Sequence, residues 1–319
     1  LVNAMESDPN VVCMGVGVTD PKGIFGTTLG ARLRFPKRVI ETPLSENMLT
    51  GACVGMAIEG WKPVLVHARN DFLMLTMEQL VNTAAKWRYM SAGRPLTFVV
   101  RSIVGRGWGQ GPQHSQALHA MFAHVPGLNV VMPADADGAR DALPWALAQP
   151  SPTLIIEHRR LYDSAIGKPV QRSHSRSGTP RATVAYLSAS SLDMPQVEQV
   201  LAAEGIDVDA FPIEHVSPLA IDDVLASAEA TRTLVVVDIG HSTCGVSAEV
   251  VAQAAQRVPG ILVRRVTPPF VPCPASLPLE NEWYPDANAI VDALHQVLGV
   301  IGEVSISKRE EDESFTGPF

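Results

Sequence analysis

Two residues in the first half of the chain, Glu46 and His114, have the types and neighbours that acid–base chemistry needs. Glu46 follows Thr42-Pro43-Leu44-Ser45 and opens a run of small and apolar residues with helical spacing. Proline and a hydroxyl residue are ordinary at a helix start, and the helix dipole favours an acid there, so a structural role for Glu46 stays open. His114 follows the glycine-rich stretch 105–111, which alone predicts only a mobile loop. Histidine changes charge near neutral pH, so a catalytic role is the alternative to a structural one.

Several other classes of site find no support in the sequence. Gly15-Val16-Gly17 lacks the third glycine and the downstream acid of a dinucleotide fingerprint, and neither a phosphate-binding P-loop nor a G-x-S-x-G elbow occurs. The four cysteines show neither the C-x-x-C spacing of a zinc site nor a disulfide framework. A net charge of −8 without a basic face argues against a nucleic-acid partner. No apolar stretch is long enough to span a membrane, so we expect a soluble, cytoplasmic protein.

These residues are positioned by an alternation of short β-branched runs with helical stretches. The patterns predict strands at 11–18, 64–66, 96–100, 128–132 and 153–156, with helices at 44–59, 74–90, 115–124 and 136–148 between them. After a polar stretch the alternation resumes, with strands at 183–187, 208–213, 234–238 and 261–266 and helices at 194–203, 221–228 and 246–256. Gly205 is expected to terminate the helix before it.

The resulting prediction is an α/β protein with two doubly wound domains. The first domain, residues 1–165, has a mostly parallel sheet, and the second, residues 182–302, is smaller. Residues 166–181, rich in Ser, Gly, Pro and Arg, are expected to form a linker. Residues 303–319 carry a charge run and are expected to form a mobile tail.

Several long stretches of the chain resemble one known family. The runs RVIETPLSENMLTGACVGMAIEGWKPV, DFLMLTMEQLVNTAAKWRYMSAGRP and GPQHSQALHAMFAHVPGLNVVMP are similar, in order and spacing, to the beta subunits of the pyruvate and branched-chain 2-oxo acid dehydrogenase components. The resemblance continues through IEHVSPL, TLVVVDIGHSTCGVSAEV and PCPASLPLENEWYPD. These are thiamine-diphosphate enzymes of the transketolase-like group. The resemblance implies a pyrimidine-binding first domain and a transketolase C-terminal-type second domain.

The same resemblance assigns roles to three residues. Glu46 matches the glutamate that hydrogen-bonds the aminopyrimidine ring nitrogen of thiamine diphosphate, which makes it both catalytic and cofactor-binding. Phe72 matches the aromatic residue that stacks on that ring, although on its own it would be interpreted as a core residue. His114 matches the histidine beside the reacting carbon, where it assists acyl transfer. No metal ligand is predicted in this chain.

The sequence departs from the family pattern in ways that bear on partners and substrate. Val16 stands where the family often has an acid, and His67, Arg69 and Asn70 replace aromatic residues, so the substrate channel is expected to differ. The stretch that holds Mg²⁺ and the diphosphate in the superfamily, G-D-G followed by N-N, is absent. We therefore expect an alpha-type partner subunit to hold most of the cofactor and its Mg²⁺ in an α2β2 heterotetramer.

Three functions remain after this comparison. The first is decarboxylation of a 2-oxo acid, with the acyl group passed to the lipoyl arm of an acyltransferase partner. The second is a two-component transketolase-like or carboligating enzyme of specialised biosynthesis, which uses the same cofactor without lipoamide. The third, a non-catalytic scaffold, is disfavoured by the joint presence of Glu46, Phe72 and His114.

Overall fold

The computed structural model describes residues 1–105, 110–163, 179–301 and 306. Most of the predicted linker lies outside the described residues, and so does the predicted tail apart from Ile306. The Ile306 amide donates to Asn288 Oδ1 at 2.8 Å, and its carbonyl accepts from Asn288 Nδ2 at 3.2 Å. This position is therefore attached to the second half of the chain.

Eleven strands are present in the described part of the chain. They are β1 Val11–Gly15, β2 Val39–Glu41, β3 Lys62–His67, β4 Val99–Val104, β5 Asn129–Val131, β6 Thr153–His158, β7 Ala182–Tyr186, β8 Val208–Pro212, β9 His215–Ser217, β10 Thr233–Val237 and β11 Leu262–Val266. They form two sheets. The first has seven strands in the order β2-β1-β3-β4-β6-β5-β9, and the second has four in the order β11-β10-β7-β8.

Both sheets are parallel apart from the pairing of β9 with β5, which is antiparallel. The prediction of two α/β units with a mostly parallel first sheet is therefore confirmed. Strand β9 was not predicted. It comes from the second half of the chain, after β8, and yet completes the edge of the first sheet. The two halves are thus joined by main-chain hydrogen bonds as well as by side chains.

The helices cover the sheets on both faces. They are α1 Val2–Ser7, α2 Leu29–Arg34, α3 Glu46–Ile58, α4 Ala85–Met90, α5 His119–Ala123, α6 Ala136–Ala148, α7 Met194–Ala203, α8 Asp222–Thr231, α9 Val246–Arg257, α10 Leu277–Trp283 and α11 Ala287–Leu298. Helices α6 and α7 have the predicted bounds. Gly205 follows α7 with φ +71°, and the Ile206 amide donates back to the Leu201 carbonyl, so the predicted helix stop is confirmed.

Two predicted helices differ from the structure near the candidate site. The stretch predicted as one helix at 74–90 is a 3-10 helix at Asn70–Thr76, a π-helical segment at Glu78–Ala84 and then α4. The helix predicted at 115–124 is shortened to α5. Its first amides are taken by side chains, since Leu118 N donates to Asn70 Oδ1 and Gln116 N donates to Asp71 Oδ1. Residues 115–118, which these long-range bonds attach to residues 70 and 71, have no regular secondary structure.

Successive side chains of the central strands point to opposite faces of the first sheet, and each face carries an apolar layer. Leu65, Val100 and Leu154 pack on the face that also holds Leu49 and Cys53 of α3. Their sequence neighbours Val64, Val99 and Ile155 pack on the opposite face, against residues of α6. The layer beside α3 continues into buried residues of the second half of the chain. The candidate site residues therefore lie on the face that the second domain also covers.

Candidate active site

Glu46 is the first residue of α3 and lies just after β2, at the carboxyl end of the first sheet. Its side chain is partly exposed. Within the described ranges its carboxylate makes neither a hydrogen bond nor an ion pair, and Ser45 makes no side-chain cap bond. An acid in the first helical turn interacts favourably with the helix dipole without such a bond. The carboxylate of Glu46 is also available to an external partner.

Phe72 and His114 lie together. Their ring centroids are 5.5 Å apart with an angle of 78° between the planes, an edge-to-face contact. Phe72 belongs to the 3-10 helix that packs against α3, and it is 39% exposed. Core burial of Phe72, the alternative interpretation of the sequence, does not agree with that exposure. More than a third of the residue remains accessible to a ligand.

The loop that carries His114 is held by two residues next to Phe72. Asp71 Oδ1 accepts from the main-chain and side-chain amides of Gln116, both at 3.0 Å, and Asn70 Oδ1 accepts from Leu118 N at 3.0 Å. Both side chains are buried, and burial raises the pKa of Asp71. Residues 70, 71 and 72 therefore contact the His114 loop at residues 118, 116 and 114, respectively. From the sequence, Asn70 was expected to alter the substrate channel, whereas in the structure its side-chain oxygen makes this supporting contact.

His67, the last residue of β3, is buried, and it lies within electrostatic range of Glu46. Burial lowers the pKa of His67 to about 4, and the negative charge of Glu46 opposes that change in part. The imidazole is therefore neutral at neutral pH. In the sequence, His67 was recognisable only as a departure from an aromatic residue, with no role implied.

A second histidine joins the two halves of the chain behind the His114 loop. His119 Nε2 lies 3.0 Å from Asp238 Oδ1, and both side chains are buried. Asp238 also accepts from Gly240 N at 2.8 Å and Ser247 N at 3.0 Å, and the His119 contact and these amides lower its pKa despite burial. A Cβ at Gly240 would lie 2.7 Å from His119 Cε1, so the ring needs a glycine there. Single-sequence patterns carried no signal for this pair.

The second half of the chain also reaches the edge of the site. Cys273 lies beside Ser115, the residue after His114, and Glu280 lies within electrostatic range of Arg69. Glu280 is fully buried, and Arg69 is largely so. Burial lowers the pKa of Arg69, while the charges of Asp71 and Glu280 oppose that change. The segment around α10 therefore covers the stretch that precedes Phe72.

A cavity of about 400 Å³ lies elsewhere, and Glu46, Phe72 and His114 are not among its lining residues. It contains the ion pair of Arg101 with Glu157, whose two hydrogen bonds measure 2.6 and 2.7 Å. The pair holds the pKa of Glu157 below its usual range, and Tyr162 adds a third bond to the same carboxylate. Because both charges are matched, we interpret this cluster as part of the domain interior.

The site residues fit one part of a thiamine diphosphate molecule. An available carboxyl group and an accessible aromatic ring suit the hydrogen-bonding edge and the flat face of an aminopyrimidine. Over the ranges 1–105, 110–163 and 179–301, no group of three or more His, Cys, Asp or Glu side chains is placed to hold a metal ion. No helix in those ranges has the length and apolar character needed to cross a bilayer.

Comparison with known proteins identifies the family of both halves of the chain. Residues 1–164 match the transketolase pyrimidine-binding domain, and residues 184–290 match the transketolase C-terminal domain. The chain is 33% identical to the beta subunit of acetoin:2,6-dichlorophenolindophenol oxidoreductase from Cupriavidus necator, covering 92% of this chain and 93% of that protein.

The chain belongs to the transketolase-like family of dehydrogenase beta subunits. It is also 33% identical to the mitochondrial pyruvate dehydrogenase E1 component subunit beta-1 of Arabidopsis thaliana, over 91% of this chain and 84% of that protein. A solved chain described as a split-gene transketolase, inactive beta4 tetramer, has the same fold, with a TM-score of 0.76 and 19% identity over 94% of this chain and 95% of that chain.

Within this beta-subunit family, the chain combines a shared framework with its own polar residues. The resemblance implied roles for Glu46, Phe72 and His114, and the structure brings Phe72 and His114 into contact beside the helix that Glu46 begins. The supporting residues Asn70 and Asp71 were missed as such. Their signal was the run of polar residues directly before Phe72, where an apolar strand end would have been expected.

Proposed function

We propose that this chain is the beta subunit of a thiamine-diphosphate-dependent 2-oxo acid dehydrogenase. The observation that carries the proposal is the contact of Phe72 with His114 beside α3, the helix that begins at Glu46, whose carboxylate makes no hydrogen bond within the described ranges. A family member with these features has the pyrimidine half of a cofactor site. The relatives named above support an oxidoreductase rather than a scaffold.

Thiamine diphosphate, when bound, supplies a carbon nucleophile that attacks the keto group of a 2-oxo acid and allows carbon dioxide to leave. In the proposed mechanism, Glu46 holds a proton between its carboxyl oxygen and the pyrimidine ring nitrogen, which controls the acidity of that ring. Phe72 packs its open face on the pyrimidine and fixes its orientation. His114, held by Asn70 and Asp71, moves a proton at its ring nitrogen during transfer of the acyl group to a lipoyl carrier.

We further propose that an alpha-type subunit completes the site and holds Mg²⁺ and the diphosphate. Large apolar side chains are exposed within two residues of Glu46 in the sequence and on the 3-10 helix that packs against α3: Leu44, Met48, Phe72, Met74 and Leu75. Exposed apolar residues grouped beside a site typically mark an interface. A second exposed set lies on the other half of the chain, at Leu262, Phe270, Val271, Leu277 and Leu279. Two such surfaces on one chain are what an α2β2 heterotetramer requires, with the second set joining two beta subunits.

The lone chain provides a direct test of this assembly. Because the partner subunit is proposed to hold the diphosphate, calorimetric titration of the lone chain with thiamine diphosphate and Mg²⁺ should show little heat until the alpha subunit is added. Micromolar binding by the lone chain would contradict the shared site. Light scattering should show a dimer of the lone chain, and introducing a charge at Phe270 should convert it to a monomer.

A second candidate is a carboligating or transketolase-like enzyme with a carbonyl acceptor in place of lipoamide. Its support comes from the sequence, where His67, Arg69 and Asn70 stand at positions for which the family resemblance implies aromatic residues, although His67 and Asn70 are buried in the structure. The two candidates differ in the acceptor alone. Reconstituted enzyme supplied with a 2-oxo acid should acylate a lipoyl domain under the first proposal and lengthen an aldehyde under the second.

The central experiment replaces Glu46 in the complex with its alpha subunit. Glu46→Gln keeps the size and a hydrogen bond but removes the acidic proton. Proton exchange at the thiazolium carbon, carbon dioxide release and dye reduction should therefore all fall by about 10²–10⁴-fold. Glu59→Gln, at the exposed opposite end of α3, is the matched control and should retain activity. Unchanged proton exchange in the Glu46 variant would refute the proposed mechanism.

A further inference from the structure

The segment from His114 to His119 lies between the two halves of the chain. Its main-chain amides at Gln116 and Leu118 donate to side chains of the first domain, each at 3.0 Å. Its last residue, His119, begins α5, and this helix packs against β5 of the first domain and against β9 and α9. Both β9 and α9 come from the second half of the chain. The position of the segment therefore depends on both halves.

Asp238 is a fixed point of the second domain. It directly follows β10, its side chain is fully buried, and its amide donates to the Val266 carbonyl of β11. Its Oδ1 atom accepts from Gly240 N at 2.8 Å, and its Oδ2 atom accepts from Ser247 N, in the first turn of α9, at 3.0 Å. Burial opposes ionisation, but the His119 contact and the two amides lower the pKa of Asp238. Because an ionised carboxylate can only accept, His119 Nε2 donates to Oδ1 across 3.0 Å.

The loop after Asp238 leaves room for the His119 ring and for little else. A Cβ at Gly240 would lie 2.7 Å from His119 Cε1, and one at Gly245 would meet the His241 carbonyl oxygen. A buried pair of this kind gives little net stability compared with packed apolar side chains, because desolvation of both groups offsets their attraction. Its hydrogen bond does fix one distance and one direction. The pair is therefore better suited to placing the loop than to strengthening the fold.

We propose that His119 is a positioning residue for His114, holding the end of the His114 segment on Asp238 so that the His114 ring stays in contact with Phe72. The inference rests on the proposed function and deepens it, since His114 is the residue proposed to act in acyl transfer. Residues 115–118 have no regular secondary structure, so neither a helix nor a sheet stiffens the connection between the two histidines. The contacts that anchor the segment decide where the His114 ring lies. The second domain thereby controls a group that contacts the first.

A first test needs neither turnover nor cofactor. In the chain labelled with ¹³C and ¹⁵N in histidine and phenylalanine, cross-peaks between the His114 and Phe72 ring protons report their contact. His119→Leu should weaken these cross-peaks and shift the His114 signals, because the anchor on the second domain is lost. His119→Gln retains an N–H donor and should keep them. The matched control is His295→Leu, which removes a comparable buried pair, His295 with Glu204 at 2.7 Å, within the second domain and should leave the His114 signals unchanged.

Gly240→Ala is a second perturbation that keeps both members of the pair. Its added methyl group meets the His119 ring and should displace it, so the His114 signals should shift in this variant too, whether or not His119→Leu folds well. Gly55→Ala, with open space at its Cβ, should leave them unchanged. Unchanged cross-peaks between His114 and Phe72 in the displaced or truncated variants would overturn the proposal.

A test of function uses the complex with its alpha subunit. His119→Leu should slow acyl transfer to a lipoyl domain by up to about 100-fold, the effect of displacing a catalytic group by about 1 Å, and should change carbon dioxide release much less. His119→Gln should recover most of the transfer rate, and His295→Leu should retain it. Equal slowing of both steps by His119→Leu would overturn the positioning role.

Comparison with His114→Ala separates this inference from the proposed function. If His114→Ala slows acyl transfer selectively and His119→Leu does not, the inference fails while the proposed function stands. If His114→Ala does not separate the two steps, the proposed role of His114 fails, and the cross-peaks with Phe72 still decide whether His119 positions that ring.

Discussion

Burial of a neutral histidine makes the stability of this chain depend on pH in a way that one substitution should remove. The pKa of His67 is lowered in the folded state from 6.5 to about 4. The unfolded chain therefore binds a proton between these values that the folded chain does not, so stability is complete above pH 6.5 and falls as the pH decreases toward 4. One pH unit corresponds to about 1.4 kcal/mol, so the total loss is about 3 kcal/mol, of which about 2 kcal/mol is reached at pH 5.

The measurement is urea-induced unfolding of the lone chain at pH 7.5 and pH 5.0. Wild type should lose about 2 kcal/mol more free energy of unfolding than His67→Gln over this interval, because the glutamine does not titrate. Other carboxylates and histidines contribute equally to both proteins and cancel. His124→Gln, which removes an exposed histidine, controls for loss of a histidine in general. Equal losses in wild type and His67→Gln, within about 0.5 kcal/mol, would show that His67 is not buried as a neutral ring.

Three further predictions concern the residues that support the site. His114→Ala should slow acyl transfer to a lipoyl domain more than carbon dioxide release in single-turnover measurements, and an equal effect on both steps would contradict its assigned role. Asp71→Leu leaves the amides of Gln116 without an acceptor, so the free energy of unfolding in urea should fall by about 1–3 kcal/mol. The same variant should reproduce the His114→Ala defect. Asp71→Asn keeps the acceptor oxygen and should keep activity. Gly240→Ala should destabilise by about 1–3 kcal/mol because its Cβ meets the His119 ring, whereas Gly55→Ala, in an exposed part of α3 with open space around it, should be neutral or stabilising.

Local patterns were sufficient for much of the fold. Alternation of β-branched runs with helical stretches predicted the two parallel sheets, and helices α6 and α7 have the predicted bounds. Gly205 was identified as a helix stop because only the local backbone conformation was involved. Short elements without a distinct period, such as β2, were not predicted. The sequence also contained the family motifs, so Glu46, Phe72 and His114 were named as candidates, and their catalytic roles remain predictions.

What surrounds those three residues was decided by tertiary structure. The bonds that fix the His114 loop join positions 45 and 48 residues apart, and the His119–Asp238 contact joins positions 119 apart. Such contacts leave no periodic trace in a single sequence, because they depend on which strand ends meet in space. The same reason explains why the helix predicted at 115–124 begins late and why His67 was not recognised: its burial beside Glu46 results from the parallel order of β1, β3 and β4 and from the helix that crosses above them.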